Sequence, residues 1–284
     1  MKYQVFLNST KNKITMSKKL LFISLSISLL LFASCGSTEE SKKSGKIKLT
    51  FKPVSGKQIK MNYQFSVNQV ESGDLTAFEM EMSGHAGTNE DGQIVLDLKN
   101  EKIKMSGNIQ GKQVSGSASG PDSLTGDAKL VALPIFTLEG NTYRGTYDSL
   151  LNKKDEVRMI DGTFADSTEN KMQLLIRYPN NEISVGDTWD KEIVIKAGNK
   201  MNCSAKYILK EIKGDTAIVS IEGKLYGKGE KFGNEFSMDG KLVGTIMVDI
   251  KTGWPIDTDS QLDFILKMGG KDIPMKYNIK CKIE

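Results

Sequence analysis

A single histidine, His85, stands in the whole 284-residue chain, with three cysteines and two tryptophans. So few imidazoles and no C-x-x-C pair exclude a zinc site of ordinary composition. A Ser-His-Asp triad would have to use His85, which sits in "MSGHAGTNEDG" beside a turn signal and reads as a solvated loop histidine. The G-x-S-x-G, H-E-x-x-H and P-loop patterns are absent. Carboxylates are plentiful, yet no pair stands out for glycoside chemistry. The chain therefore reads as non-enzymatic, with no cofactor and no metal. Its methionines, among them Met80, Met82, Met105, Met201, Met238, Met247 and Met268, fall mostly on the apolar side of alternating stretches. That placement suits adaptable core packing better than copper ligation.

Long apolar runs are also scarce, with one exception. "LLFISLSISLLLFAS", Leu20 to Ser34, carries no charge and follows the basic "MSKK". It is shorter than the roughly 20 residues of a comfortable membrane span and has no polar face, so it reads as an export signal. Met16 sits where a natural start would fall, which makes residues 1–15 an upstream extension. "FASC", Phe32 to Cys35, resembles the lipobox of bacterial lipoproteins, with Phe32 where Leu is usual. That resemblance implies cleavage before Cys35, a diacylglycerol on its thiol and an acylated (palmitate-type) N-terminus. Each buried CH2 contributes about 0.8 kcal/mol, so several chains hold firmly. "GSTEESKKSGK", Gly36 to Lys46, is a polar tether. Its Glu39-Glu40 pair loosely resembles the acidic surface-export signal of Bacteroidetes lipoproteins. The expected location is the cell envelope, on the outer membrane, facing the periplasm or the cell surface.

The first 34 residues hold five of the 39 basic residues and no acid, so the remainder carries 34 basic against 35 acidic side chains. This near neutrality argues against nucleic-acid binding.

From Lys46 onward the pattern has period two. "KIKLTFK" puts Ile47, Leu49 and Phe51 on one face, and "IKMNYQFSVNQV" does the same for Ile59, Met61, Tyr63, Phe65 and Val67. "IVLDLKNEKIKMSG" repeats the theme with "KNEK" as its turn. Alternation of this kind means strands with one wet face, usually antiparallel. The expected fold is mainly β, with strongly curved antiparallel meander sheets in two β-rich halves, 47–120 and 177–284. Residues 121–176 form a short helical or loop connector, with Asp148 capping a helix before Leu150 and Leu151. In the second half, hairpins turn at "KGDT" and "KTGWP".

"RYPNNEISVGDTWDKEI", Arg177 to Ile193, and "GTIMVDIKTGWPI" carry two motifs. The first holds Pro179, Val185, Gly186, Asp187 and Trp189; the second holds Asp249, Thr252, Gly253, Trp254 and Pro255. Together they resemble an uncharacterised bacterial lipoprotein family, domain of unknown function 6263. The resemblance covers about the last hundred residues and implies an envelope lipoprotein of β architecture, with no catalytic residues to carry over.

Glycine and aspartate in these motifs suit tight turns, and each tryptophan suits a large apolar anchor. If exposed, Trp189 and Trp254 are instead candidates to stack on sugar rings. Cys203 and Cys281 are a candidate disulfide or two small buried thiols. Ser123, Ser149, Ser167 and Thr216 sit in D-S/T segments that resemble Bacteroidetes O-glycosylation acceptors; ordinary turn chemistry is the alternative. The expected protein is a membrane-anchored envelope lipoprotein that binds an apolar ligand or a protein partner. A surface glycan-binding module is the second reading and a hydrolase a distant third.

Overall fold

A computed structural model describes residues 45–118, 124, 132–133, 135–155, 157–162, 176–197, 199–231 and 234–284. Among the described residues, twelve strands form one antiparallel sheet. In chain order they are β1 (Gln58–Gln69), β2 (Asp74–Thr88), β3 (Ile94–Ile109), β4 (Lys112–Ser117), β5 (Thr142–Tyr147), β6 (Arg158–Asp161), β7 (Thr188–Ala197), β8 (Asn199–Lys213), β9 (Thr216–Lys231), β10 (Asn234–Asp249), β11 (Pro255–Met268) and β12 (Lys271–Ile283). The lateral order is β6-β5-β3-β2-β1-β12-β11-β10-β9-β8-β7, with β4 paired beside β3. Neighbours in sequence are mostly neighbours in the sheet, as short hairpin turns require. The exceptions are the pairing of β3 with β5 and the seam, where β1 pairs with β12 from Met61↔Ile283 to Gln69↔Met275. Through that seam the early and late β-rich stretches form a single sheet.

Period-two alternation produces the strands. On β2, Phe78, Met80 and Met82 are buried while Glu79 and Glu81 face water. On β3 the inward buried positions are Ile94, Leu96, Leu98 and Asn100, and then Ile103 and Met105, so the parity changes midway. "KNEK" is therefore no turn. It is a bulge where β2 pairs Met82 with Asn100 and Glu81 with Lys102, leaving Glu101 as the extra residue. One extra residue restores the inward phase of the apolar side chains without breaking the strand. The "KGDT" and "KTGWP" segments are hairpin turns, joining β8 to β9 and β10 to β11.

The stretch expected to be a connector supplies β5 and β6, which extend the sheet beyond β3. No helix starts at Asp148. Its carboxylate accepts from the Leu150 and Asn152 amides, both at 2.9 Å, and closes a turn in which Leu151 takes φ +61°. A left-handed residue stops helix propagation at once. Helical residues occur at 132–133 and 135–136 instead.

The main core gathers Leu49, Phe51, Tyr178, Tyr207, Ile221 and Ile246, among others, on the inward face of the sheet. Irregular segments complete it. Ile47 forms a bridge with Ile183, its amide and carbonyl each bonding at 2.8 Å. The Phe51 amide then donates to Ser149 O and the Lys52 amide to Thr252 O, both at 2.7 Å. Two smaller clusters lie toward the opposite strand ends of β1–β3, where Leu124, Ala132 and Leu138 pack over Phe78, Met80, Ile103 and Met105.

Candidate functional site

Both sequence motifs are turns that anchor the core. In the first, Gly186 has φ +96° and the Asp187 carboxylate accepts from the Ser184 amide at 2.8 Å. This aims Trp189 inward, where it stacks on Tyr207 with ring centroids 5.3 Å apart, and its indole Nε1 donates to Arg177 O at 2.7 Å. In the second, Asp249 Oδ2 accepts from the Thr252 hydroxyl and amide, and Gly253 turns at φ +70°. The Tyr178 hydroxyl donates to Gly253 O at 2.5 Å, and Trp254 meets Phe51 edge-on at 4.6 Å. Each tryptophan is 8 % exposed. They are packed anchors, not neighbours on an open surface.

Arg177 is the one arginine in the main core region and is 7 % exposed. Its Nη1 donates to Ile176 O at 2.8 Å, and burial lowers the guanidinium's pKa, opposed by the nearby Tyr207, Tyr147 and Asp148. Burial in turn raises the phenols of Tyr147 and Tyr207.

A wide, mostly polar hollow of about 650 Å3 lies over the first motif, lined by Pro179, Glu182, Asp187, Trp189 and Asp190 among others, and two more surfaces among the described residues offer apolar side chains to a ligand. The first is a half-open cleft of about 340 Å3 at the end of the sheet where β1 begins and β12 ends. Ile59, Ala86, Trp254, Ile256 and Ile283 give it an apolar floor, and Lys57, Asp249, Thr252 and Glu284 give it polar walls. Three residues of the second motif thus line it. Its size matches a small-molecule site.

The second surface is a band on the inward face of β10–β12 and β1, toward the opposite strand ends. Register and alternation put Met238, Leu266 and Ile273 on one cross-strand row. Leu262, Tyr277 and Val67 form another, with Phe264 and Met275 between them. Phe264 is buried against Tyr277, with centroids 5.0 Å apart. Leu262, Leu266, Met268, Ile273, Met275 and Tyr277 are only half-buried. The equivalent region of β1–β3 is covered by Leu124 and residues 132–138, whereas the three clusters of described residues stop short of Leu266, Met268, Ile273 and Met275. The alternation signal marked these positions as apolar, but it cannot distinguish a core position from an accessible one.

The other residues singled out by the sequence are dispersed. Cys203 on β8 is buried and Cys281 on β12 is half-buried; both are free thiols, with three strands between theirs. Burial, then Glu192, pushes the Cys203 thiol up to about 11; burial, then Asp257, pushes Cys281 up to about 12. Ser149 is exposed in the turn after β5, and Thr216 is half-buried at the start of β9. Cys35, Ser123 and Ser167 lie outside the described residues. Met80, Met82 and Met105 are core residues, but Met247 is 37 % exposed on the outer face. His85 is not in a loop. It lies on β2 opposite Asp97 of β3, with Nε2 3.6 Å from a carboxylate that Arg144 of β5 grips through two bonds of 2.7 and 2.6 Å. Residues far apart in sequence meet on one rung, a juxtaposition that only the strand register reveals.

No characterised protein matches the chain significantly by sequence. Among solved structures, a DUF1329 family protein from Desulfovibrio piger is similar at 12 % identity, over 80 % of this chain and 83 % of that one, with a TM-score of 0.21. A score that low carries no argument about fold or function. Residues 161–255, which hold both turn motifs from Pro179 to Pro255, match DUF6263, a family of unknown function.

Proposed function

We propose that this protein is an exported lipoprotein, anchored to the outer membrane through Cys35, that carries an apolar ligand of acyl-chain type on the inward face of its sheet. The observation that carries the reading is the band formed by Leu262, Leu266, Met268, Ile273, Met275 and Tyr277, half-buried on one face. These six lie on β11 and β12; with Met238 on β10 and Val67 on β1 the band crosses four strands, about 15–20 Å, the scale of an extended acyl chain. Its methionines adapt to irregular apolar shapes.

A curved sheet would make that face a groove, and two facts support the curvature. Tyr147 on β5 and Tyr207 on β8 both lie within electrostatic reach of the single Arg177 guanidinium. Their strands are eight steps apart in the sheet, roughly 38 Å if the sheet were flat. Close backbone approach at strand glycines points the same way, since a Cβ at Gly240 would lie 2.3 Å from Phe264 Cβ. Interior glycines of this kind mark sharp bends. Each tryptophan is 8 % exposed and packs its ring on Tyr207 or Phe51, which favours the acyl reading over a glycan-stacking one.

The test uses protein purified from its native membrane. Mass spectrometry is expected to show a chain beginning at an acylated Cys35, and an unmodified Cys35 defeats the anchor. A fluorescent C16 fatty acid is expected to bind the protein. Leu266→Glu and Met275→Glu are each expected to weaken that binding tenfold or more, with melting temperatures within a few degrees of the parent. Absence of binding, or equal binding by both variants, defeats the carrier reading.

A further inference from the structure

We infer that the cleft beside Trp254 is a second, separate ligand site, and that it takes a small molecule with an apolar body and a cationic head, such as an arylalkylammonium. Its floor is apolar, with Ile256 and the accessible part of the Trp254 indole facing the same 340 Å3 space. That volume lies at the lower end of the roughly 300–1,000 Å3 of small-molecule pockets. The walls carry two carboxylates, Asp249 and Glu284, against one ammonium, Lys57; the Lys251 ammonium also acts on Asp249 but is paired with Asp215, so the cleft keeps a net negative charge. Asp249 is fixed in place, because Oδ2 accepts both Thr252 donors while Oδ1 is left for another donor. A cation near the indole also gains from the ring quadrupole. An anion would meet the two carboxylates. A neutral analogue would gain burial without the charge pairing.

The cleft lies at the opposite strand ends from the acyl band, so this inference stands or falls independently of the carrier reading. The test is calorimetric titration of the full protein with 2-phenylethylammonium, 2-phenylethanol and phenylacetate at neutral pH and low salt. The ammonium is expected to bind, the alcohol at least tenfold more weakly, and phenylacetate not detectably. Asp249→Asn is expected to weaken ammonium binding tenfold. Asp249 also supports its turn, so Val54→Lys provides an independent check. Val54 lines the cleft and is 57 % exposed, so this change adds a cation at the rim without disturbing the core. It too is expected to weaken binding tenfold. Absence of ammonium binding at 10 mM ligand (about the weak limit of a specific small-molecule site), equal binding of phenylacetate, or unchanged affinity in Val54→Lys overturns the inference.

Discussion

Gly253 is the residue on which the second motif depends most. Its φ of +70° is a conformation L side chains rarely adopt, and a Cβ there would lie 2.1 Å from Thr50 O. The clash is with backbone held by the Phe51 and Lys52 amide bonds, so it cannot be relieved by moving a rotamer. Gly253→Ala is therefore expected to cost about 3 kcal/mol or more, combining a left-handed penalty with overpacking. Urea titration would measure it, and a loss below about 1 kcal/mol would contradict the described contact. The thiols give a second expectation at this scale. Folded Cys203 and Cys281 ionise at about 11 and about 12, against 9.0 for an ordinary thiol, and folded Tyr63 at about 12 against 10.0. These groups lose protons first in the unfolded chain, so their stabilisation is complete below pH 9 and is lost progressively as pH rises from 9 through the folded values of about 11 and about 12. The urea midpoint should fall over that range, and Cys203→Ala should lessen the fall. A midpoint that stays flat to pH 11 would show that both thiols reach solvent.

Among the elements, β3 shows what the sequence could and could not disclose. Its inward residues were legible from alternation, but the break in parity at "KNEK" has two physical solutions, a turn or a bulge. Which one forms depends on whether the neighbouring strand continues, and that is a tertiary fact. β2 does continue, so the bulge forms at Glu101. Deleting Glu101 would place Leu96, Leu98, Asn100, Ile103 and Met105 on one unbroken alternation, so the inward set is kept without the bulge. The expected result is a folded protein within about 1–2 kcal/mol of the parent, read by circular dichroism and denaturant titration. A loss of roughly 4 kcal/mol or more would mean that the bend at the bulge is itself required for packing. The same dependence on context explains Asp148. Its capping chemistry was legible, yet it closes a turn because Leu151 enters a left-handed conformation. The two turn motifs were readable because glycine, aspartate and tryptophan each impose a local geometry. The half-buried apolar band of β11 and β12 was not, because apolar alternation looks the same under a core and at an accessible face.

At the scale of the molecule, the seam between β1 and β12 governs behaviour. Without it, residues 47–120 and 177–284 could fold as independent meanders, as local alternation suggests. With it, nine residue pairs from Met61↔Ile283 to Gln69↔Met275 join the two stretches. The Lys60 and Glu284 backbones extend the seam with bonds of 2.8 and 3.1 Å. The irregular segment around Ile47–Lys52 then ties the turn after β5 to the β10–β11 turn. Neither stretch can open without exposing the main core, which draws on both. Unfolding is therefore expected to be one cooperative transition, with tryptophan fluorescence and far-ultraviolet circular dichroism giving coincident midpoints. Tyr63→Pro removes an amide from the middle of the seam and inserts a ring into a central strand. It should lower the single midpoint without splitting it. Two separated transitions in the parent protein, with fluorescence from Trp189 and Trp254 following only one of them, would mean that the two stretches are energetically independent. Refolding should be slow for a chain of this length, because the seam joins residues more than 200 positions apart and must close a long loop before its contacts contribute.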